Sequence, residues 1–246
     1  ADFSNKNLGM GGAIIISAWI THKDKGALSI ANVMGNRIGK EQLAKLQEIM
    51  RSKPNLVSLC GIADDATEAD LSGLGMDADD AAILASELPD KGALSSANLL
   101  GNDIGIEQAS ALAAILKEHP TLKSLCGNKG DETELDMSGK NMRVEGAIML
   151  VPEIIDNGAI SSVNVLGNSI GVEQAQELIN ILQAKDKLTT LCGFSGDETE
   201  LDLSNKNLSA GCAVLVANEI IDNGALSVLS LKDNKLATKE GGKALA

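Results

Sequence analysis

Carboxylates carry the strongest chemical signal in this chain. Asp70, Asp136 and Asp202 recur at intervals of 66 residues, with Glu68, Glu134 and Glu200 two places before them. Asp2 heads the same motif near the start. Asn32, Asn98, Asn164 and Ser230 hold the matching place in the intervening segments. Side chains two apart on a strand share a face. Rows of Glu, Asp and Asn on one face accept hydrogen bonds and attract cations, which suits a basic, hydrogen-bond-rich protein surface. The same rows also suit a ladder that solvates and braces a sheet, and duplication copies residues whether or not they bind.

Other chemistry is poorly represented. Asp131, Glu132, Glu134 and Asp136 sit close in sequence, but calcium needs ~6–8 convergent oxygens. Successive strand positions point to opposite faces, so these loops read as solvated acidic turns and no metal is expected. The two histidines, His22 and His119, lie in different segments and lack the H-E-x-x-H context of a zinc site. GNRIGK at 35–40 has too few residues between its glycines for a phosphate loop, and no Ser or Thr follows Lys40. There is no G-x-S-x-G elbow. No Cys–His pair with an orienting partner can be assembled. The expectation is no catalytic residue and no cofactor.

The elements that would position the acids follow from periodicity. Gly-Ala followed by Leu or Ile recurs at Gly26, Gly92, Gly158 and Gly224, and Cys60, Cys126 and Cys192 keep the same 66-residue interval. A fixed period of this size marks a repeat architecture. Each period divides into a short segment, such as Leu94 to Thr121, and a long one, such as Leu122 to Ala159. Both run from a short apolar alternation through a turn into a helical pattern, which implies parallel strands on one face and helices on the other. In KEQLAKLQEIM, Leu43, Leu46, Ile49 and Met50 recur at helical spacing. Gly158 and Gly224 stand just past helical patterns, where a left-handed residue can close the last carbonyls. Pro120 stops one helix. Pro152 either kinks another or marks a later start for it. The extra stretch of the long segment, LCGNKGDETE, admits two paths. Either one strand bulges out and re-enters, or two short strands are joined by a tight turn; the second is preferred.

The repeated segments resemble a known family. LSSANLLGNDI fits the leucine-rich-repeat template L-x-x-L-x-L-x-x-N-x-L, with Ala97 in the second leucine slot, Asn102 in the asparagine slot and Ile104 in the last. The helical pattern that follows is similar to the convex segment of the ribonuclease-inhibitor-like class. The resemblance covers nearly the whole chain. It implies an α/β leucine-rich-repeat solenoid, a right-handed horseshoe or arc with a parallel sheet on its concave face and helices on its convex face. It also implies one domain over 1–246, built of 66-residue double repeats with incomplete units at both ends. The concave face would carry Asn32, Glu68, Asp70, Asn98, Glu134, Asp136, Asn164, Glu200 and Asp202 as partner-binding residues. The family's ladder asparagine is present at Asn36, Asn102, Asn168 and Asn234. Lys6, Leu74, Lys140 and Lys206 replace it elsewhere, where Asn7, Asn141 and Asn207 are the expected substitutes.

The functional expectation is a non-enzymatic protein–protein interaction module or scaffold, a subunit of a larger assembly. The alternatives are a sensor or regulatory repeat domain of a multidomain receptor and, by fold analogy alone, a GTPase activator similar to those of Ran. The chain opens inside a strand motif and ends partway into a unit, so its ends are expected to meet further repeats or another subunit. A formal charge of −13 argues against nucleic acid, whose binding depends on clustered cations. No apolar run approaches the ~18 residues of a membrane span. Cysteines one period apart lie beyond the ~7 Å Cα limit of a disulfide when strands are ~4.8 Å apart. That places the chain inside the cell, in the cytoplasm or an organelle lumen under reducing conditions.

Overall fold

The computed structural model describes residues 1–236. The chain is mixed α/β. Among the described residues there are seven helices, α1 (Gly9–Thr21), α2 (Lys40–Ser52), α3 (Ala78–Glu87), α4 (Ile106–Glu118), α5 (Arg143–Asp156), α6 (Val172–Ala184) and α7 (Ala210–Ile220). Six three-residue strands alternate with them: β1 (Glu68–Asp70), β2 (Ser96–Asn98), β3 (Glu134–Asp136), β4 (Ser162–Asn164), β5 (Glu200–Asp202) and β6 (Val228–Ser230). The helices form where the apolar stripe and the caps agree. Asp77 accepts from the N–H groups of Asp79 and Asp80 and opens α3 with a full capping box. Ser209 caps α7 through the Cys212 N–H. α5 begins at Arg143 and continues past Pro152, so the later start is not taken. The carbonyl of Ile148, four residues earlier, goes without its helical donor there.

The strands pair in parallel, β1 with β2, β3 with β4 and β5 with β6. The register is Glu68 opposite Ser96, Glu134 opposite Ser162 and Glu200 opposite Val228. A third position extends the first two pairs through isolated bridges, Ser124 to Ser96 with Cys126 to Asn98, and Thr190 to Ser162 with Cys192 to Asn164; near the chain start Ser58 bridges Ile30 and Asn32 bridges Asp2. The strand positions therefore advance by 28 residues twice and then by 10, as in 68, 96, 124 and 134, with a first step of 30 from Asp2 to Asn32 at the chain start. This settles the path of the LCG stretch. Its two ends are separate short strands that pair with different neighbours. Gly61, Gly127 and Gly193 make the turn at φ of +83°, +82° and +72°. A Cβ there would press on Asn32, Asn98 and Asn164 at 2.8, 3.0 and 3.1 Å respectively.

Contacts group the chain into two compact units, Ala1–Asn128 and Lys129–Ala246. Each holds two strand sets. Within a set, backbone hydrogen bonds run from strand to strand, such as Leu71 N to Asn98 O at 2.9 Å and Leu99 N to Leu125 O at 2.9 Å. Between the two sets of one unit, no backbone–backbone hydrogen bond is made among the described residues; side chains do the joining. The core is thin and aliphatic. Leu43, Leu46, Leu59 and Leu84 are buried in the first unit, and Leu178, Leu191, Leu208 and Leu215 in the second. All four cysteines are buried free thiols.

Buried asparagines stitch each set together. Asn102 Nδ2 donates to Leu71 O (2.8 Å) and Leu99 O (2.9 Å), and its Oδ1 accepts from Met76 N (3.1 Å). Asn36, Asn168 and Asn234 repeat this pattern. Asn36 Oδ1 accepts from Lys6 N and Leu8 N, and Asn234 Oδ1 from Lys206 N and Leu208 N. The segments lacking a ladder asparagine are thus served by the following one. Asn7, Asn141 and Asn207 contribute differently. Each adopts left-handed backbone at φ +54°, which asparagine tolerates better than most residues.

Candidate binding face

The first unit carries Asn32 at a bridge, Glu68 and Asp70 on β1, and Asn98 on β2. Asp70 lies directly opposite Asn98 in register. The second unit carries Glu134 and Asp136 on β3, Asn164 on β4, and Glu200 and Asp202 on β5. Asp136 faces Asn164 across the pair, and Asp202 faces Ser230. Parallel strands sit ~4.8 Å apart, so each rung sets an acid beside a neutral hydrogen-bonding side chain.

The acids on these rungs divide into two kinds. Asp2, Asp70, Asp136 and Asp202 each accept, through Oδ1, the backbone N–H of the serine two residues on, at 2.9–3.0 Å. This is the Asx turn that closes the strand. The serine bonds hold all four carboxyls below the ordinary aspartate range. Asn32, Asn98 and Asn164 do the same for Met34, Leu100 and Leu166 at 3.1–3.2 Å. Glu68, Glu134 and Glu200 are exposed, and their carboxylates have no hydrogen-bond or ion-pair partner among the described residues. The glutamates are the free part of the face. Met34, Leu100 and Leu166 are at most 6% exposed, so they pack inward and supply no anchor.

The acidic loops also close on themselves. Glu132 accepts from Lys129 N and Gly130 N, and Glu198 from Ser195 N and Gly196 N. Among the described residues no group of three or more His, Cys, Asp or Glu could hold a metal ion. His119 is buried with Nε2 3.0 Å from Leu88 O and Nδ1 accepting from Leu122 N at 2.9 Å. Both ring nitrogens are thus engaged with backbone, which makes it a structural residue.

No family model matches the chain. No curated protein matches it either.

Several buried charges are not apparent from the sequence, and all of them lie where strand sets meet. Glu87 accepts from Ser58 Oγ (2.8 Å) and Leu59 N (2.8 Å). Glu219 accepts from Thr190 Oγ1 (2.7 Å) and Cys192 N (3.1 Å). Burial pushes both carboxyls up, against the pull of these bonds. The one signal that could have found them is that Glu87, Glu153 and Glu219 keep the 66-residue interval. Lys91, 1% exposed, reaches Asp64 (2.7 Å) and Val57 O (3.1 Å). Asp80, also 1% exposed, accepts from Gly35 N (3.1 Å) with Oδ2, while its Oδ1 has no partner.

Burial raises the Asp80 carboxyl to about 6 from its usual 3.8. The fold therefore favours its protonated form. Its contribution to stability is fully present below pH 3.8 and is lost as pH rises to about 6. Glu87 and Glu219 act in the same direction. The four turn-closing aspartates act oppositely, losing their contribution only as pH falls below 3.8. The melting temperature should thus be higher at pH 5 than at pH 7.5, with Asp80 accounting for on the order of 1 kcal/mol. Asp80→Asn keeps an oxygen for Gly35 N and should flatten that pH dependence. A melting curve set in which Asp80→Asn tracks the unaltered protein at both pH values would assign the effect elsewhere.

Proposed function

We propose that this chain is a leucine-rich-repeat solenoid serving as a non-enzymatic interaction module, and that it captures a basic protein partner along its strands. The repeated 28-residue step between hydrogen-bonded strands supports the solenoid. So do the asparagines Asn36, Asn102, Asn168 and Asn234, each spanning two successive turns of chain. The observation that carries the binding reading is the exposure of Glu68, Glu134 and Glu200 beside rungs whose aspartates and asparagines are already held rigid. Fixed acceptors lose little conformational freedom on binding. A face of this kind steers a cationic partner electrostatically and loses hold as salt rises. Among the described residues, no helix is long and apolar enough to cross a membrane. The buried free thiols fit a reducing compartment.

The test uses Glu134→Lys with Glu200→Lys, because neither carboxylate supports the fold. A native pull-down read by mass spectrometry should return a basic protein with the unaltered chain. The double variant should lose ~10-fold or more of that capture, as expected when attraction becomes like-charge repulsion. Equal capture by the two chains would move the interface off the strands.

A further inference from the structure

The second unit contains an open cavity of about 580 Å³ beneath the link between its two strand sets. This is within the ~300–1,000 Å³ range of small-molecule sites. Its wall includes Phe194, Asn164, Asn205, Lys206 and Asn207. Phe194 is half-buried and supplies the one aromatic surface. Asn205 and Asn207 have no side-chain partner among the described residues, nor has Asn164 Nδ2; Lys206 makes no ion pair there.

The corresponding place in the first unit is tighter, and the sequence differs there. Gly35 and Gly167 are equivalent glycines, at φ +71° and +73°. A Cβ on Gly35 would lie 1.9 Å from Leu74 O, whereas one on Gly167 would lie 2.9 Å from Lys206 O. The backbone opposite the glycine therefore stands about 1 Å further out in the second unit. The residues that line the opening differ in the same sense. Ile62, Gly73, Leu74 and Gly75 stand where the second unit has Phe194, Asn205, Lys206 and Asn207. Ile62 is 2% exposed. Asn5, Lys6 and Asn7 hold the same triplet near the chain start, so Gly73, Leu74 and Gly75 are the departure in the first unit and Phe194 is the residue peculiar to the second.

We propose that this cavity binds a saccharide of about one hexose ring. Carboxamides donate and accept at once, as sugar hydroxyls do, and three residues that carry them line this cavity together with a lysine. A phenyl face packs against the C–H face of a pyranose and costs little ordering entropy. A single cation in a chain of charge −13 does not suit a phosphate, which calls for several charge-assisted donors. A single aromatic wall does not sandwich a nucleobase. The proposal shares only Asn164 with the protein-binding face and does not depend on it.

Saturation-transfer NMR on the full chain, with glucose, galactose, mannose, N-acetylglucosamine, glucuronate and adenosine as probes, tests the assignment. At least one sugar should receive saturation, chiefly on the C–H protons of one ring face. Phe194→Ile and Asn205→Gly import the residues found at the equivalent places in the first unit, so each should fold, as circular dichroism will verify. Each should weaken that sugar ~10-fold, the usual scale for losing one central contact. No transfer to any sugar, transfer to adenosine alone, or sugar binding that survives both substitutions would overturn the proposal.

Discussion

Gly35→Ala is expected to destabilise the first unit by about 4 kcal/mol. Two costs add. Alanine at φ +71° occupies left-handed backbone, at about 1–2 kcal/mol. The new methyl would also stand 1.9 Å from Leu74 O and 2.9 Å from Leu74 C. Those are backbone atoms, so no flexible side chain can swing away. Overpacking of this sort costs about 1–3 kcal/mol, and any shift of Gly35 also strains its N–H bond to the buried Asp80 carboxylate. Gly105→Ala is the control. Gly105 sits at φ +79° but a Cβ there meets nothing within 4 Å, so only the conformational cost of about 1–2 kcal/mol applies. Trp19 is the single tryptophan and belongs to the first unit. Its ring meets Phe3 edge-on at 5.4 Å and lies 4.4 Å from Lys25 Nζ. Urea unfolding followed by its fluorescence therefore reports on this unit. Equal losses in the two variants would show that the approach of Leu74 contributes nothing.

Asn102→Ala should cost about 3–5 kcal/mol in the same assay. Asn102 is 4% exposed, and its removal strands Leu71 O, Leu99 O and Met76 N. A buried polar group left without a partner costs about 1–3 kcal/mol. Asn98→Ala is the informative comparison. Asn98 is half-buried and serves one N–H at 3.2 Å, so its loss should stay near 1 kcal/mol, roughly one hydrogen bond. Asn102→Asp adds a second handle. It keeps the acceptor for Met76 N but sets a carboxylate against two carbonyls, so its stability should recover in acid, where the carboxyl becomes a donor. With whole-domain stability of about 5–15 kcal/mol, Gly35→Ala or Asn102→Ala would leave the unit marginal.

Much of the local structure is legible in the sequence. The 66-residue interval locates the strand cores at Asp70, Asp136 and Asp202, and the Asp-x-Ser pattern carries the signal of an Asx turn. α2 begins at Lys40, where the apolar spacing of KEQLAKLQEIM places it. What escapes depends on residues 25–45 apart in sequence. The sharing of Asn36 with Lys6 and Leu8 is a matter of register between successive segments. The local pattern points instead to Asn7, whose real contribution is a backbone angle. Glu87 is readable as a recurring residue, but its role requires Ser58 and Leu59 to arrive from the preceding strand set. The cavity is legible only as a mismatch between equivalent places, Phe194 against Ile62 and Asn205 against Gly73, and a mismatch has meaning only once the opening is seen.

The seam between strand sets has an evolutionary consequence. Backbone ladders stop there, and the hooks across it, Glu87 in the first unit and Glu219 in the second, stand two periods apart. A recombination event that excised residues 64–195, two whole periods, would cut no ladder and would offer Glu219 to Ser58 and Leu59 in place of Glu87. Lineages of such a gene can therefore grow or shrink by whole periods, with the breakpoints in the acidic links, while every surviving strand keeps its neighbours.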